Sequence, residues 1–202
     1  MMHSILRTLL LWGVAATLTT SLIQGQTAAS GQEVDLAVTY LAQRSNLTPG
    51  EFFWQQGGDL ELSATVYRGL GLAMNIAGSE AKNIQRTGID LNTVTTTFGP
   101  RYSWSRPSRK LAVFGEGLIG ISNGWNSLFP ATGGASSDAN AFALLVGGGV
   151  DLRLSRRFAV RPIQADWVRT QFPNATTNVQ NSLRLGAGVV FRISSFGTEY
   201  KP

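Results

Sequence analysis

Carboxylates and arginines recur on one face of runs that alternate between polar and apolar residues. Asp35, Asp59, Glu61, Glu116, Asp151 and Asp166 share that face with Arg101, Arg153, Arg161, Arg184 and Arg192. Paired carboxylates can run acid–base hydrolysis. Carboxylates interleaved with guanidinium groups form ion pairs instead, and in a sealed interior such pairs offset one another's desolvation and fix strand register. The arginines on the same face favour the ion-pair network, with a narrow conducting path as the alternative. The chain has no cysteine, and its one histidine is His3. Nucleophilic triads, zinc–thiolate sites and histidine general bases therefore have no candidates downstream of residue 3. No catalytic residue, metal or cofactor is expected.

The remaining composition narrows the class. The chain has 202 residues, 23 of them glycine, and only 14% are charged. A mean hydropathy near zero excludes a bundle of transmembrane helices. The formal charge of +5 raises the question of nucleic acid. However, no basic run exceeds the pairs Arg109-Lys110 and Arg156-Arg157, so a nucleic-acid partner is not expected. Gly147-Gly148-Gly149 has no helix pattern after it and is not a phosphate cradle. Met1–Arg7 is basic at its end, Thr8–Ile23 is apolar, and small residues follow. That order predicts a signal peptide over residues 1–25, cleaved after Gly25 (or after Ala29), with one domain over 26–202.

The elements that carry the charged face read as strands of period two. In the last run Leu183, Leu185, Ala187, Val189, Phe191 and Ile193 alternate with Ser182, Arg184, Gly186, Gly188, Val190 and Arg192. An apolar face behind a polar, glycine-rich one is the pattern of a membrane-crossing strand. Comparable runs are predicted at about 34–44 (with Leu41 an apolar intruder on the polar face), 58–67, 70–77, 91–104, 111–122, 142–154 and 158–170. In the run from Phe158 no single parity turns both Arg161 and Asp166 inward, which predicts a β-bulge near Pro162–Gln164. Pro100 is read as a second bulge. Connections are expected to alternate between long and short, with loops over 45–56, 78–90, 123–140 and 171–181. The fold class is therefore all-β, an eight-stranded antiparallel up-and-down transmembrane β-barrel. Tyr40, Tyr102, Trp104, Phe158, Trp167 and Phe172 read as interfacial girdles.

Gly99-Pro100-Arg101-Tyr102, the stretch from Arg161 to Asp166-Trp167, and Val189-Val190-Phe191-Arg192-Ile193 carry a resemblance to a known group. The chain resembles the small eight-stranded outer-membrane β-barrel family, typified by the membrane domain of outer-membrane protein A, over about residues 34–193. The resemblance implies a bacterial outer-membrane location, insertion by the barrel-assembly machinery, surrounding outer-membrane lipid, and a monomer. Members commonly end on an aromatic residue, whereas here residues continue past Phe191, leaving Phe196 or an internal signal for recognition.

The expected role is that of a non-enzymatic envelope protein, structural or acting at the cell surface through external loops. Phe52, Phe53, Trp54, Trp125 and Phe129 are the candidate external-loop contacts. A narrow pore for small solutes is one alternative. Another is a secreted lipocalin-type carrier, in which the apolar face would point inward.

Overall fold

The computed structural model describes residues 32–46, 52–84, 88–105, 110–131, 134–174 and 177–196. The expected signal peptide and its cleavage site lie outside the described residues. Eight strands follow one another: β1 (Gln32–Asn46), β2 (Phe52–Tyr67), β3 (Leu70–Ala81), β4 (Leu91–Ser105), β5 (Leu111–Ala131), β6 (Gly134–Arg153), β7 (Phe158–Thr170) and β8 (Gln180–Phe196). Each pairs antiparallel with the next, and β8 returns to β1, closing the barrel. Closure leaves no free sheet edge around the wall. Gln32 pairs with Phe196, so the two ends of the barrel wall lie together.

Register sorts the side chains. Cross-strand pairs such as Leu60–Ile76, Met74–Phe98, Ile121–Phe142 and Val38–Val189 place apolar groups side by side. These groups point outward: Ile119 is 59% exposed and Leu183 53% exposed. Arg161 and Arg184, by contrast, are 1% and 2% exposed inside. A water-soluble protein rarely shows a contiguous apolar surface of more than a few hundred Å². Here an uncharged apolar belt encircles the wall, which is the arrangement for hydrocarbon outside and polar groups inside. This inversion removes the lipocalin-type carrier, whose lining must be apolar.

Leu41 is buried at 1% exposure, an apolar residue among polar ones on the inner face. The bulge in β7 lies at its expected place. The β7–β8 register shifts between Arg161 and Gln164, so Arg161, Gln164 and Asp166 all point inward. Pro100 differs from expectation. The β3–β4 ladder runs through Leu72–Pro100 without a shift, and the β4–β5 ladder omits Gly99 and Pro100 but resumes in the same register. The missing N–H costs one pairing on the β5 side and no bulge.

The strands are longer than the alternation predicts. Residues 52–56, 78–81, 123–131 and 134–140 continue as strands where loops were expected. Backbone pairing with a neighbouring strand overrides the Asn, Gly and Pro content of these segments. Connections outside the strands are consequently short at most positions. Among the described connections the tightest is Arg68-Gly69, with φ of 47° and 88°. Positive φ at both positions matches the twist of a two-residue hairpin, and glycine meets it without steric cost at the second.

The bulge generates a test. Deleting Pro162 leaves Arg161, Gln164 and Asp166 in regular alternation, so the barrel should still form. Deleting Ala165 instead turns Asp166 towards lipid and Trp167 inward, and should abolish folding. Heat-modifiable electrophoretic mobility in detergent reads both outcomes.

Candidate functional site

The charged interior is stacked in layers. At the short-turn end, Arg192 pairs with Glu33 and with Asp35 (Nε–Oδ1 3.1 Å), and Arg153 lies 3.8 Å from Glu33. These groups line a mouth of about 190 Å³ whose floor includes Arg101, Phe114 and Asp151. Above it, Glu61 pairs with both Arg101 and Arg161, the latter at 3.1 Å. Asp151 accepts from Arg161 Nε at 2.8 Å, and Glu116 from Arg101 at 3.4 Å. The Phe114 ring lies against both guanidiniums, with Arg101 Cζ 3.6 Å and Arg161 Cζ 4.3 Å from its centroid. Stacking on a ring face suits a planar guanidinium withdrawn from water.

The next layer is joined by Gln164, which accepts from Arg161 Nη1 at 2.9 Å and donates to Asp166 at 2.9 Å. Arg184 faces Asp166 at 3.2 Å. Asp59 is held by Asn75 Nδ2 at 2.9 Å rather than by a cation. Further up, Gln55 donates to Ser45 and accepts from Ser79, and Ser45 meets Ser182. Phe53, Ile84, Leu91, Phe129 and Phe172 then form an apolar cap. Phe129 and Phe172 stack with centroids 5.4 Å apart.

The structure thus brings Glu61, Arg101, Glu116, Asp151, Gln164, Arg161, Asp166 and Arg184 into one buried layer system. Asp35, Arg153 and Arg192 sit apart from it, half-exposed at the mouth. Sequence reading missed Glu33, Asn75, Gln164 and Phe114. Glu33 shares parity with Asp35 just before the predicted start of β1. Phe114 shares parity with Glu116, and that spacing was its available signal.

Two glycines make room for the layer. A Cβ at Gly147 would strike the Asp166 carboxylate, and one at Gly149 would meet the Phe114 ring at 2.9 Å. Their role is close approach of charged and aromatic side chains, not a ligand cradle.

The expected external contacts divide. Phe52, Trp54 and Trp125 are exposed. Phe53 and Phe129 are not loop contacts: each lies on a strand at inward parity and is buried in the cap. Phe172 likewise belongs to the cap instead of the girdle. Outward aromatics at the short-turn end include Tyr67, Tyr102, Trp104 and Phe191, the last packed edge-on against Phe158. Among the described residues, no group of three or more carboxylate or histidine side chains is placed to hold a metal ion.

No family model matches the chain, and no curated protein sequence matches it. Solved structures do. Ail, the attachment invasion locus protein of Yersinia pestis, in complex with the heparin analogue sucrose octasulfate, is 18% identical with a TM-score of 0.52, over 81% of this chain and 100% of its own. Neisserial surface protein A is 13% identical with a TM-score of 0.58, over 79% of this chain and 97% of its own. The fold is that of the small eight-stranded outer-membrane barrels, and with its apolar belt it belongs in the bacterial outer membrane.

The balance of charge in the buried layers predicts an asymmetry. Asp59, Glu61, Glu116, Asp151 and Asp166 are five buried carboxylates facing three buried arginines, Arg101, Arg161 and Arg184, an excess of two (five minus three). Arg161→Met leaves Glu61, Asp151 and Glu116 to share Arg101 alone and should cost about 3–5 kcal/mol. Glu116→Gln removes surplus negative charge and should cost far less. Urea unfolding of the vesicle-inserted barrel compares the two.

Proposed function

We propose that the protein is a non-enzymatic, non-conducting outer-membrane barrel that works through contacts at its external rim, chiefly the β5–β6 hairpin. One observation carries this reading. The β5–β6 ladder continues to Ala131–Gly134, whereas β4–β5 pairing stops at Asn92–Trp125 and β6–β7 pairing at Ala143–Thr170. The hairpin therefore rises beyond both neighbours. A register shift between Trp125 and Phe129 turns Phe129 down into the cap, while Trp125 and Leu128 stay exposed. One buried ring anchors the base, and the apolar groups beside it face outward.

The interior supports the same reading from the other side. An eight-stranded barrel is just wide enough for side chains to fill. Here the cap, the hydroxyl and amide layer and the ion-pair layers occupy it in succession, leaving solutes no evident route. Wall closure favours a monomer, inserted by the assembly machinery that serves such barrels. The Yersinia pestis protein of this fold is an attachment invasion locus protein, so surface contact is a use that the scaffold serves elsewhere.

Two measurements test the proposal. Purified protein in planar bilayers should show no steady ionic current; a reproducible conductance would replace the contact role with a pore. Cells displaying Trp125→Ser/Leu128→Ser should lose adhesion to whichever protein- or glycan-coated surface retains the wild type, with heat-modifiable mobility unchanged. Equal retention of variant and wild type would remove the hairpin from the function.

A further inference from the structure

Asp59 is the exception among the buried carboxylates. Glu61, Glu116, Asp151 and Asp166 each contact at least one arginine. Asp59, 3% exposed, has no arginine or lysine partner among the described residues. Asn75 Nδ2 donates to its Oδ2 at 2.9 Å, a neutral partner for a full charge. Its other oxygen, Oδ1, is sealed from solvent and meets no hydrogen-bond donor. Arg184 faces Asp166 at 3.2 Å instead.

Three more oxygens beside it share that condition. Thr39 Oγ1, Asn75 Oδ1 and Thr97 Oγ1 are buried and without hydrogen-bond partners. Register and one hydrogen bond gather the four side chains on consecutive strands, β1 to β4. Thr39 stands directly opposite Asp59, and Asn75 directly opposite Thr97. Residues so opposed hold their Cβ atoms about 4.5–5.5 Å apart. The hydrogen bond from Asn75 to Asp59 ties the two pairs together. The flanking inward positions are small: Ala77 opposite Asp59 on β3, Gly120 opposite Thr97 on β5 and Gly188 opposite Thr39 on β8. They put no side chain larger than a methyl beside the four oxygens.

The donor set decides the ligand. Oxygen donors without sulfur or imidazole suit a hard cation. One carboxylate among three neutral oxygens matches a single positive charge, and no group of three acidic side chains stands among the described residues to draw a divalent ion. Hydroxyl and amide oxygens offer lone pairs to such an ion much as backbone carbonyls do where they replace its hydration shell. The surroundings favour positive charge as well. The buried layers carry five carboxylates against three arginines, so one bound cation reduces an excess of two (five minus three) to one. A buried carboxylate is costly until opposite charge and hydrogen bonds meet it.

We propose that Thr39, Asp59, Asn75 and Thr97 form a buried site for a monovalent metal cation, sodium or potassium. The site depends on the closed wall of the barrel and not on the contact role of the hairpin. An enclosed ion enters on folding and leaves on unfolding, so its binding adds to the folding equilibrium. The full chain is unfolded and refolded with urea in zwitterionic lipid vesicles. The buffer contains sodium, potassium or N-methyl-D-glucamine chloride at equal ionic strength, which holds screening constant. In sodium or in potassium, the wild-type folding constant should exceed its N-methyl-D-glucamine value about tenfold, the factor for an ion at about ten times its Kd. Asp59→Asn should remove most of that difference. So should Thr97→Val, which keeps the shape of the side chain and takes away only the hydroxyl. Glu116→Gln also lowers the negative charge of the interior, but it lies outside the site and should retain the difference. Heat-modifiable mobility reports barrel formation in each variant. Equal folding constants in all three salts, as a protonated Asp59 would give, would overturn the proposal. So would a difference that survives in Asp59→Asn or Thr97→Val, or one lost equally in Glu116→Gln.

Discussion

Glu61 gripped between Arg101 and Arg161 is the interaction on which the rest of the barrel depends. It joins β2, β4 and β7, strands that share no ladder, across the centre of the lumen. Burying those charges is unfavourable unless each finds opposite charge and hydrogen bonds. Arg161 meets that demand by bonding Glu61, Asp151 and Gln164 together, with the Phe114 face beneath it. A one-residue slip of any wall strand would send its member of the network into hydrocarbon. The ionic layer therefore selects register, while the apolar belt selects solvent.

The two selections reinforce one another. Lipid tails offer backbone groups no hydrogen bonds, so the wall must close upon itself. With eight strands the closed wall leaves an interior just wide enough for side chains to fill, and the inward positions must then satisfy one another. The bulge in β7 is where the two constraints collide. An extra residue at Pro162–Ile163 keeps Arg161 and the Gln164–Asp166 pair on the same side, and proline fits because a bulge already breaks the ladder.

Much of this was legible in the residues. Alternation sorted the side chains onto two faces along most strands, and in β7, where it breaks, the charge pattern located the irregularity. Inside and outside were not separable by alternation alone, since a carrier barrel has the same period with the opposite sense. The strand ends were also hidden. Phe52 and Phe53 sit beside a segment rich in Asn, Pro and Gly, yet Phe52–Asn46 and Phe53–Ser45 pairing carries β2 to that point. Phe53, Phe129 and Phe172 come from three distant segments, and only their meeting above the hydroxyl layer makes them a cap. Gln164 and Asn75 are neutral, so a search for charges passes over them, although Gln164 bridges Arg161 to Asp166 and Asn75 holds Asp59.

Sidedness is measurable because the chain has no native cysteine. Single substitutions Leu185→Cys and Val189→Cys place a nitroxide on the outer face of β8; Ala159→Cys and Val190→Cys place it on the inner face beside the mouth, where there is room for it. In barrels refolded into lipid vesicles, power-saturation electron paramagnetic resonance with dissolved oxygen should report high collision rates at 185 and 189 and low rates at 159 and 190. The reverse pattern, with oxygen reaching the inner positions and missing the outer ones, would contradict a barrel that turns its apolar side chains to lipid and seals its ions within.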